Sequence, residues 1–444
     1  MLPCDREPPR SSLRVAIATL GCKVNQYDSV VIGEALRGKG CVLVDFNEPA
    51  DVYIVNTCSV TDRADAESLQ LARRARRRNP VAKVLLTGCF AQVAPQRAAI
   101  PEVDGVIGLN RLGDLVAAAL GPVDSRIAVS DLRQARKVRT VGVGVDASRT
   151  RAFLKVQEGC DLFCSFCIVP MSRGASRSVP PREIIEQYET LASLGVKEVV
   201  LTGVHLGTWG QDLSPRLELA DLVEMILERG CIPRVRLSSI DPPEVSPRLV
   251  RLFETSEQLC PHFHIPIQAG VDSVLQRMRR RYDTSLVRSR LEEIRGRLPD
   301  AAIGTDVIAG FPGETDDDFA RGHAFLESLP LTYFHVFPYS PRQGTTAAKL
   351  PGQLPRHVVH ARARALRKLG ESKKVTFAQR FVGRELLVLF EDQRRDTRLC
   401  TGYSRNYQRV RVAEFVRGNR ELPVWITGVD EAGQLIGEVS QRFL

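Results

Sequence analysis

From residue 13 to about 125 the chain alternates short apolar runs with amphipathic stretches. VAIATL (15–20), VYIVNT (52–57) and VLLTG (84–88) are compact and rich in β-branched residues, and helical patterns such as 60–78 separate them. Strands that alternate with helices predict a parallel sheet with helices on its faces. The same rhythm fills the region from about 150 to 376, with candidate strands at 152–157, 196–202, 234–240, 262–267, 302–308 and 332–338. Six strands with crossover helices predict a barrel or partial barrel, whose chemistry belongs at the carboxyl ends of the strands. Beyond residue 377 the period falls to two, in ELLVLFE, RVRVAEF and LPVWITGV, with turn signals such as GYSRNY between them. That pattern predicts a small antiparallel β-barrel. Residues 130–150 are basic, Gly-containing and aperiodic, and read as a linker. The expected organisation is an α/β chain of three domains, at 13–125, 146–376 and 377–444.

Composition narrows the setting. Apolar residues make up 43%, enough for packed cores, yet no run of about 18 apolar residues would cross a membrane. The opening MLPCDREPPRSS lacks the apolar centre of an export signal, so a cytoplasmic protein with an unstructured tail is expected. Eleven cysteines in such a chain point to metal binding or catalysis before a disulfide framework. The net charge of +10 suits a polyanionic partner. Basic runs at 71–80, 277–282 and 362–374 are candidate RNA contacts, although a charged helix face is more often simply solvated. In the last segment Tyr403, Tyr407, Arg405 and Arg409 surround a turn, a mixture that can stack on bases and bind phosphate.

The cysteines fall into two groups of three. Cys22, Cys58 and Cys89 each follow one of the N-terminal candidate strands. If those strands run parallel, the three thiols emerge at one sheet edge, where open α/β sheets hold ligands. Cys160, Cys164 and Cys167 lie within EGCDLFCSFCIVP (158–170), following the first barrel strand. Zinc would require a fourth ligand, and no cysteine or histidine follows Cys167 until His205. Three thiolates can instead hold three irons of a [4Fe–4S] cluster and leave the fourth iron open for a small molecule. Cys4, Cys41, Cys231, Cys260 and Cys400 show no comparable pattern.

The C-x3-C-x2-C spacing resembles that of radical S-adenosylmethionine enzymes. TLGCKVNQYDS (19–29), NTCSVT (56–61), TGCFAQ (87–92) and KVQEGCDLFCSFCIVPMSRG (155–174) together resemble the methylthiotransferase family. The resemblance covers nearly the whole chain after residue 13. It implies an auxiliary [4Fe–4S] cluster on Cys22, Cys58 and Cys89 and a radical-generating one on Cys160, Cys164 and Cys167. It also implies that S-adenosylmethionine supplies both the radical and the methyl group, and that the C-terminal segment is a TRAM domain that binds tRNA. An electron donor and a sulfur donor of unknown identity would be further partners. Ser238, Gln268 and Gly310, in SSI, PIQAG and DVIAGFPGET, are expected on the cofactor side of the barrel. The family's branches act on isopentenyladenosine in tRNA, on ribosomal protein S12, or on threonylcarbamoyladenosine in tRNA. LTGVHLGTWG (201–210), RLSSIDP (236–242) and HVFPYSPRQGTTAA (335–348) look most like the last of these. A non-catalytic iron–sulfur RNA-binding protein is the alternative from another class.

Overall fold

The computed structural model describes residues 12–133, 135, 138, 150–391 and 399–439. The predicted tail and most of the predicted linker lie outside the described residues. The chain forms two compact units. One holds the described residues up to Ala135 together with Met171–Gly174, and the other holds the remainder.

The first unit is built on six strands: β1 (Arg14–Thr19), β2 (Val42–Val44), β3 (Val52–Thr57), β4 (Lys83–Gly88), β5 (Gly105–Ile107) and β6 (Ile127–Ala128). They form one sheet in the order β2-β1-β3-β4-β5-β6. Every pairing is parallel. All of β3 is buried, as expected of a parallel strand covered on both faces. The strand order reverses between β1 and β3, so their carboxyl ends flank a crevice of the kind that binds ligands in open sheets. The helix Asp62–Arg78 starts on a Thr61 cap, carries Asp62 and Asp65 in its first turn and ends on three arginines, which suits its dipole. Its basic run is largely engaged internally. Arg76 pairs with Asp104 at 2.7 Å, Arg73 lies 3.7 Å from Glu102, Arg78 donates to the Phe46 carbonyl, and Arg74 bonds Asn47.

The second unit contains the predicted barrel. β7 (Arg151–Lys155), β10 (Glu198–Thr202) and β11 (Arg234–Leu237) form one parallel sheet. β12 (His262–His264), β13 (Ala302–Ala309) and β14 (Tyr333–Pro338) form another. Single parallel bridges, Val235 to Leu259 and Ser239 to His264, join them into a six-stranded partial barrel. Strands β11 and β12 end three residues earlier than their apolar runs suggest, and the chain then bends to form the rim. A short antiparallel pair missing from the sequence pattern, β8 (Gln157–Glu158) with β9 (Arg177–Ser178), closes off the cysteine loop between them. Phe263, Ile303 and Val307 pack outward into the main apolar core with Tyr188, Val223 and Leu291 from the surrounding helices. The opposite strand faces are polar. In the lumen Arg234 and Arg236 meet the carboxylate of Glu198 at 2.7 and 2.9 Å. Burial would raise the Glu198 carboxyl, but Arg236 and Arg234 outweigh it and hold the group down to about 2. Removing one partner of such a buried network costs about 3–5 kcal/mol.

The C-terminal barrel is closed by β15 (Glu385–Phe390), β16 (Cys400–Ser404), β17 (Arg409–Val412), β19 (Leu435–Val439) and β18 (Glu421–Val429), in that order. It departs from the antiparallel expectation at one pair, since β17 and β19 run parallel. A second correction concerns the turn between β16 and β17. Three of its four side chains, Tyr403, Arg405 and Tyr407, are engaged within the chain. Arg151 lies over the Tyr403 ring at 4.4 Å, and Arg236 over Tyr407 at 4.8 Å. Tyr407 also packs against His262, at 4.6 Å between ring centroids. Arg405 pairs with Glu421 at 2.8 Å, while Arg234 and Arg236 donate to the carbonyls of Tyr403, Ser404 and Arg405. The alternation of aromatic and basic residues was legible, but the surface they face was not. Arg409 alone of the four is exposed. The other basic runs are committed in part, with Arg279, Arg281, Arg364, Arg367 and Lys368 exposed. Arg277 faces Asp318, Arg362 is buried against Glu314, and Lys373 and Lys374 donate to carbonyls.

Candidate metal centres

In the first unit the three loops that follow β1, β3 and β4 carry Cys22, Cys58 and Cys89 to one edge. Gly21 has φ +95°, and a Cβ there would sit 2.8 Å from the Cys58 Sγ, so glycine is what lets these two loops close on each other. Asn25 fastens them, donating from Nδ2 to the carbonyls of Leu20 at 2.7 Å and Thr57 at 2.9 Å. Cys22 caps the helix Lys23–Arg37, and Cys89 opens the short helix Cys89–Val93. Helix N-termini favour a thiolate at such positions. Burial, then the charge of Cys89, pushes the Cys58 thiol up to about 12. Burial also raises Cys89, partly offset by the guanidinium of Arg173. Arg173 is buried in this unit, 2.8 Å from Asp28, and also donates to Asn25 Oδ1. Cys22 and Cys89 both add to the rise at Cys58, and Cys22 adds to the rise at Cys89, so the three sulfurs face one another as a donor set that fits a cluster of iron ions.

In the second unit the loop between β8 and β9 holds Cys160, Cys164 and Cys167. Ser165 pins it: its N–H donates to the Met278 carbonyl at 3.0 Å, its Oγ donates to the Arg277 carbonyl at 2.7 Å, and its carbonyl accepts from Ala347 at 2.7 Å. Cys164 Sγ accepts a hydrogen bond from Arg280 at 3.1 Å. Arg280 is in turn ion-paired with Asp241 and lies 4.8 Å from the centre of the Tyr282 ring. Burial drives the Cys167 thiol up to about 12, and Cys164 and Cys160 add to the effect. The set again fits a metal cluster held by thiolates.

Two residues beside this loop carry no signal of their position in the sequence pattern. Arg280 sat within a basic run, with nothing to mark it as a cysteine partner. His205 lies 45 positions after Cys160, yet its Nδ1 is 3.8 Å from the Cys160 Sγ. Its Nε2 lies 2.5 Å from a Glu244 carboxylate oxygen, so the ring sits between that carboxylate and the Cys160 thiol. Of the cofactor-side candidates, Ser238 is buried and its Oγ makes no hydrogen bond among the described residues. Gln268 has φ +71° and bridges β13 through the Asp306 carbonyl and the Ile308 N–H. The N–H of Gly310 is taken by Glu314 at 2.8 Å, so that donor is not turned outward.

Comparison with known proteins agrees with this geometry. Residues 14–108 match the family described as Uncharacterized protein family UPF0004, and residues 154–326 match the Radical SAM superfamily. The chain is 38% identical over 406 residues to the threonylcarbamoyladenosine tRNA methylthiotransferase MtaB of Bacillus subtilis, covering 89% of each. It is 39% identical to the protein of that name from Aquifex aeolicus, covering 86% of this chain and 94% of the relative. It is 33% identical to the tRNA-2-methylthio-N(6)-dimethylallyladenosine synthase of Dictyoglomus thermophilum, covering 91% and 93%. Among solved structures, the radical S-adenosylmethionine methyltransferase TsrM of Kitasatospora setae shares the fold, with TM-score 0.53 at 17% identity over 74% of this chain and 77% of that one. A radical SAM domain implies one [4Fe–4S] cluster and S-adenosylmethionine. Domain composition and relatives spanning most of the chain agree: the protein belongs to the radical S-adenosylmethionine methylthiotransferase family.

Proposed function

We propose that this protein replaces the C2–H of N6-threonylcarbamoyladenosine, next to the tRNA anticodon, with a methylthio group, working in the cytoplasm. The observation that carries the reading is a cysteine trio additional to the one in the radical SAM domain. Cys22, Cys58 and Cys89 come together at a sheet edge of their own, apart in sequence from Cys160, Cys164 and Cys167. Relatives that match this chain over most of its length are named for this reaction. We assign an auxiliary cluster to the first trio and the radical-generating cluster to the second. Domains 13–125, 146–376 and 377–444 would then hold sulfur, generate the radical and contact tRNA.

When bound, the radical-type cluster and S-adenosylmethionine supply one-electron cleavage and a species able to abstract hydrogen from carbon. The chain's own contribution is positional. Ser165 fixes the loop, Arg280 holds Cys164, and the His205 ring faces Cys160. The β8–β9 pair ties the two ends of the loop, and the C-terminal barrel closes the floor of the lumen. Ser238 and Gln268 remain the cofactor-side candidates at the rim, with Gly310 shaping the turn beside them. For tRNA contact the exposed side of the C-terminal barrel offers Phe415, Arg409 and Arg417. The electron and sulfur donors are separate partners.

Nucleoside mass spectrometry on tRNA from cells with and without the gene tests the reading. The 2-methylthio form of threonylcarbamoyladenosine should vanish on deletion and return with the gene. Loss of a methylthiolated isopentenyladenosine or of the ribosomal-protein modification instead would assign the chain to another branch.

A further inference from the structure

The lumen of the radical-type barrel carries a polar tier that the cysteine chemistry does not use. Parallel pairing sets His264 opposite Gly304 and Asp306 opposite His335. His264, Asp306 and His335 project from the strand faces opposite those packed against the helices. Their ligand-type atoms lie within 4.8 Å of one another. His264 Nδ1 is 2.8 Å from Ser239 Oγ, which orients the ring. Its Nε2 is 3.1 Å from Asp306 but is not aligned for a hydrogen bond to it. The His335 ring stands 5.5 Å from that of His264 and is exposed to the lumen side. Below the tier Tyr333 bonds His262 at 2.7 Å, and Tyr407 seals the floor. Above it, Asp306 precedes the carboxyl end of β13 by three residues, about 10 Å.

We propose that His335, His264 and Asp306 are the receptor for the N6 substituent of the substrate adenosine, with His335 determining specificity. This rests on the proposed function. A threonylcarbamoyl group brings a carboxylate, a hydroxyl and ureido N–H groups. Two imidazoles can donate to the carboxylate, and Asp306 can accept from a hydroxyl or N–H. The tier therefore matches that group donor for acceptor. An isopentenyl group would bury the same three side chains against carbon. Sites that leave polar groups unpaired against an analogue reject it far more strongly than apolar pockets discriminate by size.

The test uses full-length reconstituted enzyme and two tRNA substrates, one bearing threonylcarbamoyladenosine and one bearing isopentenyladenosine. His335→Phe should lower kcat/KM for the first by about 10- to 100-fold, the value of a hydrogen bond to a charged group. It should narrow the preference over the second. Cleavage of S-adenosylmethionine without tRNA should stay at the wild-type rate. His335→Gln, which keeps a donor and is the variant of choice if the phenylalanine form misfolds, should recover part of the loss. Unchanged selectivity in both variants would overturn the proposal, as would loss of cofactor cleavage in step with product. If wild-type enzyme fails on the threonylcarbamoyl tRNA but modifies the other, it is the functional reading that fails.

Discussion

On the proposed ligand assignment, Arg280 is placed to tune a centre without being a ligand. Its side chain is only 5% exposed, donates to the Cys164 sulfur at 3.1 Å and is balanced by Asp241. Adding an electron makes a thiolate-held cluster more negative, and a nearby cation favours that state. Arg280→Gln should therefore shift the midpoint potential of the radical-type cluster to a more negative value, and Arg280→Lys should shift it less. A redox titration followed by electron paramagnetic resonance measures this. Equal potentials in wild type and the glutamine variant would show that the contact only packs the loop. Arg173 makes the corresponding contact in the first unit, reaching Cys89 and Asn25 from a segment that follows the second trio in sequence. Neither arginine was legible beforehand. A sequence records that a residue is basic, while its partner is set by which loops the fold brings together.

Elements were more legible than contacts. Strands β1, β3 and β4 were evident because parallel strands buried on both faces read as continuous apolar runs bounded by turns. With those strands parallel, the convergence of Cys22, Cys58 and Cys89 follows from topology alone. The β8–β9 pair was invisible, since two-residue strands carry no periodicity. The C-terminal strands were legible from their period of two, but period does not reveal the neighbour against which a hairpin packs. That neighbour changes what truncation should do. Phe377 and Phe381 share an apolar cluster with Ala302 of β13 and with the C-terminal barrel. Arg234 and Arg236 take carbonyl partners from its turn. Hydrogen bonds to charged donors are worth about 1.5–3 kcal/mol each. Removing residues 377–444 should therefore lower the melting temperature by about 10 °C or more. It should not leave an intact core that has merely lost RNA affinity. Thermal melts by circular dichroism decide the matter, and a melting point within a degree or two of the full chain would contradict the packing role.

At the scale of the whole molecule, the chain places two thiol trios in two separately packed units, each trio at the carboxyl ends of parallel strands or in the loop that follows one. No described helix is long and apolar enough to cross a membrane. Iron content of two triple variants tests this account most directly: Cys160→Ala/Cys164→Ala/Cys167→Ala and Cys22→Ala/Cys58→Ala/Cys89→Ala, each reconstituted beside wild type. Because each trio would hold one cluster, each variant should retain about half of the wild-type iron. Only the N-terminal variant should still form 5′-deoxyadenosine. Wild-type iron in either folded variant would mean that its three cysteines hold no cluster, and the two-centre account would be wrong.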